Sequence, residues 1–92
     1  MKIFEYHGQK NISGERIHLA RRKMKLTQAE LAAQLQIKGV ILERESISRI
    51  EIGDRFIADF ELRAIAEILK VDVNWLLGID LDHDQTLGGR GL

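Results

Sequence analysis

The polar residues between positions 44 and 49 have a spacing suited to base recognition: Arg44, Glu45, Ser46, Ser48 and Arg49. With about 3.6 residues per helical turn, three of these side chains lie opposite Ile47 and Ile50, and Arg44 and Ser46 flank that side. An arginine can donate two parallel hydrogen bonds to guanine, and a glutamate can accept one from cytosine N4. We therefore predict an exposed polar helix side that could read base edges, led by Arg44 and Arg49.

Catalysis and metal binding find less support in the sequence. The three histidines are scattered along the chain, and there is no cysteine. Asp80 to Asp84 resembles the opening of a calcium loop, but Gln85 replaces the turn glycine and Gly91 stands where a closing glutamate is needed. We therefore expect neither an enzyme nor a catalytic, metal or cofactor site.

Length and composition indicate one small domain. The chain has 92 residues, of which 45% are hydrophobic, and this is enough for a single core. No apolar run approaches the roughly 20 residues of a membrane helix, and the N-terminus lacks a signal-peptide pattern. We expect a cytoplasmic protein with no membrane partner.

Charge is unevenly distributed although the formal net charge is zero. Positions 10–25 carry six cations and one anion, whereas positions 54–84 carry three cations and eight anions. This pattern predicts one basic face. Such a face could orient the protein on DNA, or it could be an ordinary solvated surface.

The apolar periodicity and the absence of proline predict an all-α domain of five short helices. The first is expected over about 14–23, the third over about 44–52 and the fifth over 73–77. The candidate N-caps are Ser13, Thr27 in a capping box with Glu30, Asp59 and Asp72. The inward side chains of the first, second and fourth helices are predicted to be Ile17, Ala20, Met24, Leu31, Ala32, Leu35, Leu62, Ile65, Ala66 and Leu69. Those expected to stay exposed on the fourth are Glu61, Arg63, Glu67 and Lys70.

The connection between the second and third helices, Gln36 to Leu42, is expected to be a loop with a turn at Gly39. Because Ile37, Val40 and Leu42 are apolar, we predict that it packs against the core. Trp75 is expected to be a packing residue. We divide the chain into an N-terminal extension (1–10), a helical domain (11–78) and a mobile tail (79–92).

Four segments, in this order, resemble the Xre-like, phage-repressor-like helix-turn-helix family: Gly14–Ile17, Leu26–Ala32, Ile47–Gly53 and Val71–Leu77. The resemblance covers about Asn11 to Gly78. The connection from Leu35 to Ile47 is about five residues longer than is common for such a turn, and so resembles a long-turn subfamily.

The resemblance implies a five-helix DNA-binding domain of a prokaryotic or phage transcription regulator, expected to be a repressor, with the third helix in the major groove. Gln28 matches a position that anchors a phosphate, and Arg55 is a second candidate anchor. Family members often pair an arginine of the first helix with a glutamate that matches Glu51, which favours an ion pair from Arg21.

The implied partner is double-stranded DNA, bound by a homodimer because one short helix reads few bases. Glu43 and Glu45 oppose this reading, since they bring anions close to the phosphates. An alternative is a protein-interaction role, such as an antitoxin that binds a toxin through Trp75, Leu76, Leu77 and the acidic tail.

Overall fold

The computed structural model describes residues 5–79, and within this range the protein is all-α. Its five helices are α1 (Gly14–Lys23), α2 (Gln28–Ile37), α3 (Arg44–Glu51), α4 (Asp59–Leu69) and α5 (Val73–Leu76). The predicted fold class is confirmed, and α3 begins at the predicted residue.

The start of α1 differs from the prediction. Ser13 occupies the N-cap position, but its side chain makes no capping hydrogen bond. The side-chain oxygen of Asn11 instead accepts hydrogen bonds from the backbone N–H groups of Ser13 (3.0 Å) and Gly14 (2.7 Å). An asparagine can bond to the backbone two or three residues ahead in this way, so Asn11 performs the capping predicted for Ser13.

Two other N-caps are confirmed. The Thr27 hydroxyl accepts from the Glu30 N–H at 3.0 Å, and the Glu30 carboxylate accepts from the Thr27 N–H at 2.8 Å. Asp72 accepts from the Asn74 N–H at 3.0 Å. These side-chain hydrogen bonds satisfy backbone N–H groups that have no partner within the first turn of a helix.

The start of α4 corrects two predictions. Ala58, not Asp59, is the N-cap residue. Glu61 is buried, and its carboxylate accepts from the Ala58 N–H at 2.9 Å and from Arg55 at 3.1 Å. The predicted exposure of Glu61 is therefore wrong, because two hydrogen-bonded partners compensate the burial of its charge.

A single apolar cluster joins all five helices. Its fully buried members include Ile17, Leu31, Leu35, Ile50 and Leu76. Met24 is 37% exposed at the end of α1, so its predicted inward position is wrong.

The lengthened connection packs down only in part. Helix α2 continues through Ile37, and the chain then turns at Gly39, whose φ is +82°. Leu42 is buried and Val40 packs against the core, as predicted. Ile37, however, is 86% exposed, because the helix carries its side chain out of the apolar stripe.

Within residues 5–79 no helix has the length and apolar character needed to cross a bilayer. The predicted mobile tail, apart from Ile79, and the calcium-like segment lie outside the described residues. The division of the chain into 1–10, 11–78 and 79–92 stays a prediction.

Candidate nucleic-acid interface

Helix α3 has an apolar side in the core and a polar side in solvent. Ile47 and Ile50 are buried, whereas the side chains of Arg44, Glu45 and Arg49 are 63%, 74% and 58% exposed. Ser46 and Ser48 are half-buried beside them. The structure therefore brings together the five residues predicted for base recognition.

Both arginines of this side are only loosely held. Arg44 lies 3.9 Å from the Glu45 carboxylate, and Arg49 lies 3.7 Å from that of Asp54. Exposed ion pairs of this kind contribute about 0 to 1 kcal/mol. The two guanidinium groups can therefore leave these partners for a stronger acceptor at little cost.

Glu51, at the end of α3, is the centre of a buried polar network. Arg21 donates to its carboxylate from Nε (2.7 Å) and Nη2 (2.9 Å), and also donates to the Leu26 carbonyl at 2.7 Å. His18 Nδ1 lies 2.9 Å from the same carboxylate. The ion pair predicted for Arg21 is confirmed, and it joins α1 to α3.

The network keeps Glu51 ionised. Burial opposes the charged form, but hydrogen bonds from Arg21, His18 and Gln28 outweigh it and hold the pKa of Glu51 below its ordinary value. The hydrogen bond to Glu51 also raises the pKa of Arg21. The pair is therefore fully charged at neutral pH.

Gln28, predicted to anchor a phosphate, donates from Nε2 to Glu51 at 3.1 Å. A carboxamide has two N–H donors, so this bond uses one of them and orients the other. The sequence did not reveal the contact because the two residues are far apart in the chain. The phosphate role of Gln28 stays a prediction.

A basic cleft of about 460 Å³ lies where α1 ends and α2 begins. Its lining residues are Arg21, Arg22, Lys25, Leu26, Thr27, Gln28, Ala29 and Arg44. The N-terminus of α2 adds the positive end of a helix dipole. The cleft suits an anion such as a backbone phosphate. Site prediction from the sequence missed Arg22 and Lys25, although the excess of cations in positions 10–25 was the signal for them.

Arg55 is engaged elsewhere. Its guanidinium donates to Glu61 at 3.1 Å and to the Phe56 carbonyl at 2.7 Å, and its side chain is 30% exposed. Arg55 does not line the basic cleft. These contacts tie the loop after α3 to the start of α4, and a phosphate contact by Arg55 stays a prediction.

The fold removes Leu76 from the surface predicted to bind a protein partner. Leu76 is fully buried and cannot contact a partner. Trp75 packs against the core, and Arg16 lies 5.0 Å from its ring centroid and donates to its carbonyl at 2.8 Å. Trp75 is thus a packing residue, as predicted, and Arg16 serves to hold α5 on α1.

Among residues 5–79 no group of three or more histidine, cysteine, aspartate or glutamate side chains could hold a metal ion. The side chains that converge are those of the basic cleft and the exposed side of α3. Both face outward, as an interface with a large polar ligand requires.

Comparisons with known proteins agree with this geometry. Residues 14–78 match the family model of a helix-turn-helix domain. The P22 c2 repressor protein, solved in complex with the synthetic operator 9T, is similar to the chain with a TM-score of 0.64 and 30% sequence identity. The similarity covers 76% of this chain and 98% of that one. Curated protein sequences give no match. The chain belongs to the Xre-like, phage-repressor-like family of helix-turn-helix proteins.

Proposed function

We propose that the protein is a transcription regulator that binds duplex DNA sequence-specifically, with α3 in the major groove. The observation that carries the proposal is the polar side of α3, where Arg44 and Arg49 are exposed and held by weak surface contacts. A major groove about 12 Å wide accepts one helix and presents a distinct hydrogen-bonding pattern for each base pair. The family comprises DNA-binding proteins rather than enzymes.

Within this proposal, Arg44 and Arg49 donate to base edges and Glu45 accepts from an amino group. Ser46 and Ser48 lie beside them and supply shorter hydroxyl contacts. Glu45 at the start of α3 repels phosphates but increases sequence specificity. A base edge without a hydrogen-bond donor would leave the Glu45 carboxylate unpaired.

The basic cleft is the proposed phosphate site. Arg22 and Lys25 supply charge, while Gln28 and the first N–H groups of α2 supply directed hydrogen bonds. Contacts of this kind fix the register of a protein on the duplex without reading its sequence. They place the axis of α3 relative to the groove.

Two finer features complete the proposal. The protein acts as a repressor, as the P22 c2 protein does by name. It binds as a homodimer, because α3 has only eight residues and two half-sites about 34 Å apart multiply the specificity of one helix. Repression of a reporter gene and the spacing of half-sites in selected DNA test these features.

The dependence of duplex binding on salt concentration distinguishes a DNA-binding function from a pure protein-interaction role. The logarithm of affinity should fall against the logarithm of salt concentration with a slope of about −0.9 per phosphate contact. Arg22→Ala and Lys25→Ala should each reduce the steepness by about 0.9. Arg63→Ala is the matched control, because this side chain is 81% exposed on α4 and does not line the cleft. Binding that ignores salt would favour the interaction role.

A further inference from the structure

Residues 6–13 precede the family-matched residues 14–78, yet they are docked on the C-terminal end of α3. Tyr6 and Gln9 close a tight turn with two backbone hydrogen bonds of 2.7 and 3.0 Å. The next residue, Lys10, donates its backbone N–H to the Gly53 carbonyl at 2.8 Å. Gly53 lies two residues after α3 ends, so this bond ties the segment to the C-terminal end of α3.

Asn11 makes the central contact of this junction. Its Nδ2 donates to the Ile50 carbonyl at 3.0 Å, in the last turn of α3, and to the Arg55 carbonyl at 2.8 Å, in the loop that follows. Its Oδ1 accepts from Ser13 and Gly14 at the start of α1. A carboxamide has two donors and an acceptor with two lone pairs, so all of this capacity is used.

The junction is also closely packed. Gly14 lies against the Ile50 carbonyl, where a Cβ atom would collide with the oxygen. Gly53 lies against the Gln9 side chain. Small displacements of α3 at this end are therefore resisted both by contact and by directed hydrogen bonds.

We propose that Asn11 is a positioning residue for DNA recognition, which sets the position and tilt of α3 so that Arg49 and Arg44 meet the base edges. The inference rests on the proposed function. Two-point hydrogen bonds to a base tolerate displacements of only about 0.5 Å. Phosphate attraction is long-ranged and tolerates such displacements. Loosening this end of α3 therefore lowers affinity for the preferred sequence much more than affinity for unrelated DNA.

The test compares the full chain with Asn11→Ala and Asn11→Asp. Asn11→Ala removes all four bonds. Asn11→Asp keeps the acceptor for α1, removes both donors and turns a carboxylate oxygen towards the Ile50 and Arg55 carbonyls, which it repels. Asp72→Ala is the stability control, because it removes an N-cap on α5, a helix that packs on α1 and α4. Dissociation constants are measured for a duplex selected from a random library and for its scrambled version, at a temperature where urea titration shows each variant folded.

Both Asn11 variants should lower the ratio of selected to scrambled affinity by about 5- to 150-fold, the value of one two-point base contact. Asp72→Ala should leave the ratio unchanged. Equal ratios in the wild type and the Asn11 variants would overturn the positioning role alone. A wild-type chain that selects no sequence would instead refute the proposed function and the positioning role with it. If Asn11→Ala does not fold, Asn11→Asp decides the matter.

Discussion

The buried pair between Arg21 and Glu51 gives the sharpest stability prediction. Arg21→Ala deletes two hydrogen bonds to Glu51 and one to the Leu26 carbonyl. It leaves a carboxylate whose side chain is only 4% exposed, without its cationic partner. Breaking a buried pair on one side costs about 3 to 5 kcal/mol. Small domains unfold with about 5 to 15 kcal/mol in total, so the loss is a large part of the stability.

Urea and thermal unfolding measure this loss. Trp75 is the only tryptophan in the sequence and packs against the core, so its fluorescence reports on the fold. For a domain of this size, Tm should fall by about 12 to 40 °C. A matched double variant, Arg21→Met with Glu51→Leu, replaces both charges by apolar groups of similar volume. It should recover the part of the loss that comes from the unpaired Glu51 charge, because such replacements of buried pairs are often neutral, but not the part that comes from the lost hydrogen bond to the Leu26 carbonyl.

A loss below about 1 kcal/mol for Arg21→Ala, the range of exposed ion pairs, would show that Glu51 does not behave as a buried charge. It would mean that water reaches the Glu51 carboxylate. The same unfolding measurement is also the control for the DNA-binding experiments, because any substitution in this network can abolish binding by unfolding the domain.

Three further predictions concern stability. Folding lowers the pKa of Glu51, so the contribution of this carboxylate to the free energy of unfolding is complete above the unfolded pKa of about 4.3 and is lost as pH falls towards the folded value. Glu51→Gln should therefore make the urea midpoint less dependent on pH in that acid range. An unchanged dependence on pH would contradict this. Leu42→Ala should lower the free energy of unfolding by about 2 to 5 kcal/mol because Leu42 is buried, whereas Ile41→Ala should change it by less than about 0.5 kcal/mol because Ile41 is 68% exposed. Equal effects in urea titrations would mean that the connection between α2 and α3 does not pack against the core. Gly14→Ala should lower Tm because the new methyl group would meet the Ile50 carbonyl, and an unchanged Tm would show that this junction can open.

Local patterns in the sequence predicted most of the fold. The Thr27 and Glu30 capping box and the Ile47 and Ile50 spacing act within a few residues, and both are found as predicted. The polar side of α3 follows from the same periodicity. Family resemblance added the ion pair of Arg21 with Glu51, which joins positions 30 residues apart.

The incorrect predictions concern features that the apolar periodicity of the sequence does not encode. The burial of Glu61 is compensated by Arg55 and by the Ala58 N–H, and Asn11 caps α1 while it also donates to the Ile50 carbonyl in the last turn of α3. The bond from Asn11 to the Ile50 carbonyl has no signature in local spacing, because the two residues are 39 positions apart. Ile37 is exposed because α2 continues beyond its apolar stripe, and an apolar residue alone does not reveal where a helix ends.

The proposed function requires that α3 contacts base edges through Arg44 and Arg49. Selection of bound sequences from a random duplex library, performed with the wild type, Arg44→Ala, Arg49→Ala and the Arg63→Ala control, tests it most directly. We predict one consensus for the wild type and the control, and loss of preference at one or two defined base pairs for each α3 variant, at a cost of about 1 to 3 kcal/mol for the preferred site. An unchanged consensus in both α3 variants, with all proteins folded, would show that these two arginines do not read the bases.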